Sequence, residues 1–155
     1  MERKTKIHAE EGKQELLITR EFELPLELLF KAYSDPEIIE QWMGTKVLKH
    51  ESKKHGGYQF ETRSPKGDVV FGASGAFHEF IPNQKIVRTF EMLNSPFDVQ
   101  IEFIEFEPLT ETTSRLNMQV VYRSGALRDQ NLKLPFDYGV NMAHDRLEEI
   151  VSKLK

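Results

Sequence analysis

The chain has 155 residues, of which 21 are basic, 25 are acidic and none is cysteine. This length fits a single domain, and a domain of about 150 residues can bury a full core. The formal charge of −4 argues against a dedicated nucleic-acid binder, and the absence of cysteine excludes disulfides and thiolate chemistry. Apolar runs are far shorter than the roughly 20 residues that cross a bilayer, and the first residues lack an apolar signal core. We therefore expect a cytoplasmic protein without a membrane span.

The first segments in chain order are a polar lead-in, a strand and two short helices. Residues 1–14 are polar and aperiodic, and we expect a single domain over residues 15–155. Apolar and polar side chains alternate over Leu16–Phe22, which indicates a strand. Pro25 suits the first position of a helix, and Asp35-Pro36 ends that helix and begins another.

Six strands are predicted between residues 45 and 122, each joined to the next by a turn. Proline and glycine mark these turns, for example at Pro65, Gly67, Pro82 and Pro108. Between the turns, apolar residues recur with period two, which is typical of strands with one apolar face. Consecutive strands with short polar connections predict an antiparallel meander.

The last segment predicts a long amphipathic helix over residues 136–154. Its apolar residues recur at intervals of three and four and form one stripe: Phe136, Val140, Ala143, Leu147, Ile150 and Leu154. The stripe is too short for a coiled coil, so we interpret it as a helix that packs on the sheet. The preceding Leu127–Pro135 is expected to be a separate short helix or a loop, because Pro135 interrupts a continuous helix.

Together these elements predict an α+β fold, with a curved antiparallel β-sheet wrapped around the long C-terminal helix. That helix is the only predicted element long enough to cover the apolar face of the sheet. The two short helices after the first strand would close one end.

Three blocks of the sequence share their order and spacing with one known family: Arg20 to Gly44, with Asp35-Pro36 and Trp42; Gly56-Gly57 with Pro65-Lys66-Gly67; and Gly75 to Phe90, with Pro82 and Lys85-Ile86-Val87. Gly139 and the stripe around Leu147 match the closing helix of that family. Over residues 15–154 the chain resembles the START-like (SRPBCC) superfamily, and within it proteins related to the C-terminal domain of the activator of the 90-kDa heat-shock protein ATPase. The resemblance implies a helix-grip fold with an internal cavity. It leaves the function open, because this fold hosts carriers, sensors, cyclases and chaperone partners.

We expect a cavity between the sheet and the C-terminal helix that binds a small hydrophobic or amphipathic molecule. The chain has 11 phenylalanines, and small residues on the covering helix remove volume that a close-packed interior would need. Aromatic rings would supply contact area, and an arginine would orient a polar end of the ligand. The candidate cavity residues are Trp42, Phe60, Phe77, Arg88, Phe90, Gly139, Ala143 and Leu147.

Several of these residues have two interpretations. Arg88 is in phase with apolar residues of its strand, so it either holds an anionic group of a ligand or pairs internally, with Glu79 as the candidate partner. Trp42 either covers a ligand or anchors its short helix on the sheet. Small side chains at Gly139 and Ala143 either leave space for a ligand or let the helix approach the sheet closely.

The sequence predicts no metal, no cofactor and no catalytic residues. No serine lies in a nucleophile-elbow pattern, and no glycine-rich phosphate loop is present. The histidines lack the spacing of a zinc site, and we expect them on the surface or at sheet edges: His8, His50, His55, His78 and His144.

Two alternatives to ligand binding stay open. The resemblance implies a possible chaperone partner, bound through the surface in a stress-related role. An enzyme of the cyclase or hydrolase type would need at least two titratable groups that converge in the cavity. Arg88, Glu79 and a tyrosine are the candidates for such groups, and an arginine is a poor proton shuttle.

Overall fold

The computed structural model describes residues 3–155, and residues 1 and 2 of the polar lead-in lie outside the described part. Residues 3–155 form eight strands and four helices, in this order: β1 Lys6–His8, β2 Glu15–Phe22, α1 Leu26–Ser34, α2 Pro36–Met43, β3 Lys46–His50, β4 Gly57–Arg63, β5 Val69–Ile81, β6 Lys85–Met92, β7 Gln100–Pro108, β8 Ser114–Val121, α3 Gly125–Leu132 and α4 Phe136–Ser152.

The strands form one antiparallel sheet in the order β1-β2-β8-β7-β6-β5-β4-β3. Strands β3 to β8 pair with their neighbours in sequence, which confirms the predicted six-strand meander. After β2 the chain forms α1 and α2, and β2 itself pairs with β8, the last strand of the meander. Register shifts interrupt the β3–β4, β4–β5 and β5–β6 pairs, and such irregularities bend a sheet. The predicted α+β fold with a curved antiparallel sheet is confirmed.

The long strand β5 bends where Gly75 lies against the neighbouring strand β6. A Cβ atom at Gly75 would lie 2.0 Å from the carbonyl oxygen of Thr89 and 2.7 Å from the hydroxyl of Tyr58. That hydroxyl donates a hydrogen bond of 2.5 Å to the same carbonyl oxygen. Only glycine leaves room for this approach, so Gly75 lets the sheet curve at this point.

Local signals set the bounds of the two short helices. Pro25 immediately precedes α1 and Pro36 is the first residue of α2, where a missing amide proton costs no helical hydrogen bond. The Asp35 side chain caps α2 by accepting a hydrogen bond of 3.0 Å from the Glu37 amide. The helix ends at Gly44, whose φ of +66° is the left-handed conformation that glycine favours.

The predicted C-terminal helix is confirmed as α4, which ends two residues earlier than expected, at Ser152. Leu147 and Val151 on this helix are fully buried. They belong to a large hydrophobic cluster, here called the main core, with residues of α1, α2 and the sheet, among them Leu29, Phe60 and Ile86. Helix α3 confirms the expectation of a separate short helix before Pro135.

A second hydrophobic cluster, here called the small cluster, lies at the other end of α4. Its buried members are Leu16, Ile18, Val120 and Tyr122. Phe136 and Val140, in the first half of α4, are only partly buried and pack against it. The helix therefore has a tightly packed second half and a loosely packed first half.

The lead-in contains a strand that its polar sequence does not predict. Strand β1 pairs with β2, and just before it Thr5 is buried. Thr5 lies over the fully buried guanidinium of Arg20, whose Nη1 donates to the Thr5 hydroxyl at 3.3 Å and to Asp145 on α4 at 2.7 Å. Polar residues can be buried here because they bond to one another.

Candidate functional site

A cavity of about 240 Å³ lies between the first half of α4 and the inner face of strands β2, β6, β7 and β8. Tyr33 of α1, helices α2 and α3, and the connection between β6 and β7 complete its wall. Most of the wall is aromatic or aliphatic, including Trp42, Phe90, Phe97, Met118 and Phe136.

The structure places the eight predicted cavity residues in three groups. Four of them line this cavity: Trp42, Arg88, Phe90 and Ala143. Three others are buried in the main core: Phe60, Phe77 and Leu147. The remaining residue, Gly139, is exposed on the surface of α4.

Gly139 corrects both interpretations of the small residues on α4. A Cβ atom at this position would meet no atom within 4 Å, so Gly139 neither borders the cavity nor allows a close helix–sheet approach. The first half of α4 packs on the small cluster through Phe136 and Val140, whereas Gly139 is exposed. Ala143 does lie on the cavity wall.

Trp42 anchors its short helix, but on α1 rather than on the sheet, and its role as a cover over a ligand stays a prediction. Its indole Nε1 donates a hydrogen bond of 2.7 Å to the carbonyl oxygen of Ala32 on α1. Its ring stacks on Tyr33, with centroids 5.3 Å apart and planes 13° apart. Trp42 therefore anchors α2 on α1, and it also forms part of the cavity wall.

Arg88 pairs internally, but with a different partner from the predicted one. Its Nε donates a hydrogen bond of 2.7 Å to Glu102, the residue directly opposite on β7. Glu102 also accepts a hydrogen bond of 3.0 Å from Gln100, and the Arg88 guanidinium lies 5.2 Å from the ring centroid of Tyr58. Burial lowers the pKa of Arg88, but the attraction of Glu102 and Tyr58 outweighs burial and raises it. The ion pair gives the cavity one polar wall with no net charge.

The predicted partner, Glu79, pairs instead with Lys85 at 3.2 Å, and both side chains are about one-third exposed. A register shift between Phe77 and Glu79 is the physical reason. One extra residue in a strand turns the following side chains to the opposite face of the sheet, so Glu79 and Arg88 point away from each other.

His144 is a cavity residue that the sequence analysis expected on the surface. It is 4% exposed, packs edge-on against Phe22, and lies in the cavity wall. Its Nδ1 is 2.8 Å from the Thr5 hydroxyl. Burial and the nearby Arg20 cation lower the pKa of His144 to about 3, with Asp145 opposing them, so the ring is neutral at ordinary pH.

Tyr122 and Asn131 are two further polar residues in the cavity wall that the sequence analysis did not single out. The amide nitrogen of Asn131 donates a hydrogen bond of 2.6 Å to the Tyr122 hydroxyl. Burial raises the pKa of Tyr122 to about 12, so its hydroxyl stays protonated. No sequence signal could have identified Tyr122 as a cavity residue, because its spacing along the strand is also that of an ordinary core residue.

His50 is a second histidine with a shifted pKa, outside the cavity. Its Nδ1 is 2.7 Å from the Ser52 hydroxyl, which itself donates to the Ser34 carbonyl oxygen at 2.8 Å. Its ring lies among Tyr58, Phe60 and Phe77. Burial and the Arg88 cation lower the pKa of His50 to about 4.

The arrangement offers binding surface and hydrogen bonds rather than proton transfer. Glu102 already accepts from two side chains, Tyr122 holds its proton, and the pKa of His144 lies far from neutrality. A general acid or base works best with a pKa near the operating pH. In residues 3–155, no three His, Cys, Asp or Glu side chains are grouped so that they could hold a metal ion. None of the described helices is long and apolar enough to cross a membrane.

Several proteins of known structure have a fold similar to that of this chain. Among curated proteins, none matches the sequence. A protein from Rhodobacter sphaeroides has 18% identity and a TM-score of 0.84, with 96% of this chain and 99% of that chain covered. A protein from Mycobacterium smegmatis has 17% identity and a TM-score of 0.81, with 94% and 95% covered. A protein from Arthrobacter aurescens has 14% identity and a TM-score of 0.84, with 96% and 91% covered. At such identities the similarity shows the fold alone.

The sequence itself identifies the family. Residues 23–152 match the family model described as Activator of Hsp90 ATPase homolog 1-like protein. This match runs from the first residue of the β2–α1 connection to the last residue of α4, and so includes both sides of the cavity. The chain belongs to the Activator of Hsp90 ATPase homolog 1-like family.

Proposed function

We propose that the protein binds a small, mainly apolar molecule in the cavity under α4 and does not convert it chemically. The observation that carries this proposal is the cavity itself, with its largely aromatic and aliphatic wall and an ion pair that neutralises itself. Native interiors are close-packed, and a space of this size is unusual unless something fills it.

The size of the cavity limits the molecule. Its volume of about 240 Å³ lies below the usual range of about 300–1,000 Å³ for ligand pockets. It exceeds the roughly 150 Å³ of an engineered cavity that admits benzene. A molecule with one or two rings fits between these limits.

The test is to fill the cavity from α4. Ala143→Phe directs a large ring into the wall, and Met142→Phe places the same ring on the exposed side of the helix as a matched control. We expect the wild type and Met142→Phe to bind the neutral two-ring dye 1-aminonaphthalene, with enhanced fluorescence, and Ala143→Phe to lose binding while it keeps its fold. A wild type that binds no dye, together with an Ala143→Phe protein destabilised by about 1–3 kcal/mol through overpacking, would refute the proposal.

A second candidate function is contact with a chaperone through the outer face of the sheet. The family description names an activator of the Hsp90 ATPase. In addition, Leu17, Ile101 and Phe103 are exposed apolar side chains on β2 and β7, which are separated only by β8. Purified Hsp90 mixed with the protein should then show a changed ATPase rate, and Phe103→Asp should remove the effect. The enzymatic alternative has no comparable support from the cavity, and the cytoplasmic location stays a prediction.

A further inference from the structure

The hydrogen bonds around His144 determine which ring nitrogen carries its proton. The Thr5 hydroxyl is buried and accepts a hydrogen bond from Arg20, so its own proton must go to another acceptor. Among residues 3–155, the acceptor within reach is Nδ1 of His144, at 2.8 Å. A buried hydroxyl proton without an acceptor is costly, so Thr5 donates to Nδ1. The neutral ring therefore carries its proton on Nε2.

This Nε2–H group is an unused donor that opens into the cavity. His144 has no hydrogen bond from Nε2 to any described residue, and the atom is not sealed inside the protein. Because the residue is 4% exposed and lies in the cavity wall, the cavity is the space that Nε2 adjoins. A ligand atom in the cavity is thus the natural acceptor for this proton.

Tyr122 supplies a second unused donor. Its hydroxyl oxygen accepts from Asn131, and the phenolic proton has no acceptor in the described part of the chain. The carboxylates in the wall, in contrast, are already engaged. Glu102 pairs with Arg88, and Asp98 accepts a hydrogen bond of 2.8 Å from Arg123. The cavity therefore has free donors but no uncompensated charge.

We propose that the cavity selects uncharged molecules that carry a carbonyl oxygen, which accepts a hydrogen bond from His144 Nε2–H. This inference rests on the proposed function, because it names the chemical class that the same cavity takes. A carbonyl oxygen accepts such a hydrogen bond without carrying a charge. A charged group would lose its hydration without finding an unpaired counter-ion.

The first experiment compares three naphthalene derivatives of similar size by calorimetric titration. We expect 2-acetylnaphthalene to bind about three- to tenfold more tightly than 2-ethylnaphthalene, which is the range of one net hydrogen bond. The anion 2-naphthoate should bind more weakly than the ketone. Equal binding of the ketone and the hydrocarbon, or a preference for the anion, would overturn the inference and leave the proposed function standing. Binding of none of the three would overturn both.

Two variants of His144 form a matched pair for the same titration. Asparagine carries its amide near the position of Nδ1, so His144→Asn can keep the bond to Thr5 while it loses the donor at Nε2. Glutamine reaches the position of Nε2, so His144→Gln keeps a donor there. We expect the Asn variant to lose the preference for the ketone over the hydrocarbon, and the Gln variant to keep part of this preference. A full preference in the Asn variant would overturn the role of His144.

A measurement on the wild type keeps the inference testable if these variants fold poorly. Nitrogen-15 NMR of the imidazole distinguishes the two neutral tautomers. We expect His144 in the Nε2–H form, with an Nε2–H resonance that shifts on addition of 2-acetylnaphthalene and stays in place on addition of 2-ethylnaphthalene. A ring protonated on Nδ1, or an Nε2–H signal that responds equally to both probes, would contradict the proposal.

Discussion

Arg88 carries a positive charge on the inner face of the sheet, and Glu102 on the adjacent strand neutralises it. The distance from Arg88 Nε to Glu102 Oε1 is 2.7 Å. Neither side chain is more than 12% exposed, so water cannot replace a lost partner. The consequence differs from that of an ion pair on the surface. Removal of one member of a buried pair leaves an uncompensated charge in a medium of low polarity.

Glu102→Gln should therefore lower the free energy of unfolding by about 3–5 kcal/mol, as measured by urea denaturation. The matched control is Glu79→Gln, which breaks the partly exposed pair with Lys85 on the neighbouring strand pair. This control should cost less than about 1 kcal/mol, because exposed pairs are screened by water. Similar losses in the two variants would show that the buried pair has no special role.

The lowered pKa of His144 predicts that the protein loses stability in acid. Its pKa is about 6.5 in the unfolded chain and about 3 in the folded protein. Between these values the unfolded chain takes up a proton that the folded protein excludes. The contribution of neutral His144 to the free energy of unfolding is complete above about pH 6.5. It falls as the pH drops toward 3, by up to about 1.4 kcal/mol per pH unit.

Urea denaturation at pH 7 and pH 4.5 tests this prediction in the wild type and in His144→Asn. The wild type should lose about 2–3 kcal/mol more than the variant over this interval. Because His50 and the carboxylates titrate in both proteins, the comparison isolates His144. Parallel pH profiles would contradict the assignment.

At the scale of single residues, sequence reasoning worked where an alternating pattern decides orientation. Phase along β6 places Arg88 and Phe90 on the inner face, and the cavity wall contains both. The sequence could not show that His144 is buried, because its burial depends on Thr5 and Arg20 from the other end of the chain. Nor could it exclude Glu79 as the partner of Arg88, since a bulge in β5 decides which residues of that strand face Arg88.

At the scale of elements, the bend in β5 depends on the missing side chain of Gly75. A methyl group there would lie 2.0 Å from a backbone oxygen, which cannot move without disturbing the β5–β6 ladder. Gly75→Ala should lower the free energy of unfolding by at least about 1–3 kcal/mol, the usual cost of overpacking. Thermal denaturation followed by circular dichroism measures the change.

Gly139→Ala is the control for Gly75→Ala, and its effect should have the opposite sign. Gly139 is exposed in the interior of α4, and an added Cβ atom meets nothing within 4 Å. Alanine is favoured over glycine in a helix interior by about 1 kcal/mol. Destabilisation by Gly139→Ala would mean that this side of α4 is not free.

The existence and type of most elements could be predicted, because each depends on a local pattern. The stripe on α4 and the period of two along β3–β8 are such patterns. Strand β1 could not be predicted, since three residues are too few to show a period and the strand exists only through pairing with β2. The exposure of Gly139 could not be predicted either. The helical period identifies the residues of the apolar stripe, but it does not show how much of the helix surface contacts the sheet.

At the scale of the whole molecule, the cavity lies where α4 passes from one hydrophobic cluster to the other. The second half of the helix is part of the main core, whereas Phe136 and Val140 in the first half pack on the small cluster. Ala143 lies on the cavity wall near the middle of the helix. Local stability follows local packing, so the two halves of α4 should differ in how readily they open.

Hydrogen exchange should resolve this difference within one helix. We expect amides of residues 147–151 to exchange only on global unfolding, because Leu147 and Val151 are fully buried. Amides of residues 140–143 should exchange faster, through local opening of the cavity wall. A molecule bound in the cavity adds contacts to the first half alone, so 2-acetylnaphthalene should slow exchange at 140–143 and leave 147–151 at the global limit. Uniform exchange along α4, unchanged by a ligand that calorimetry shows to bind, would mean that the cavity wall is as rigid as the core and that ligands enter without opening it.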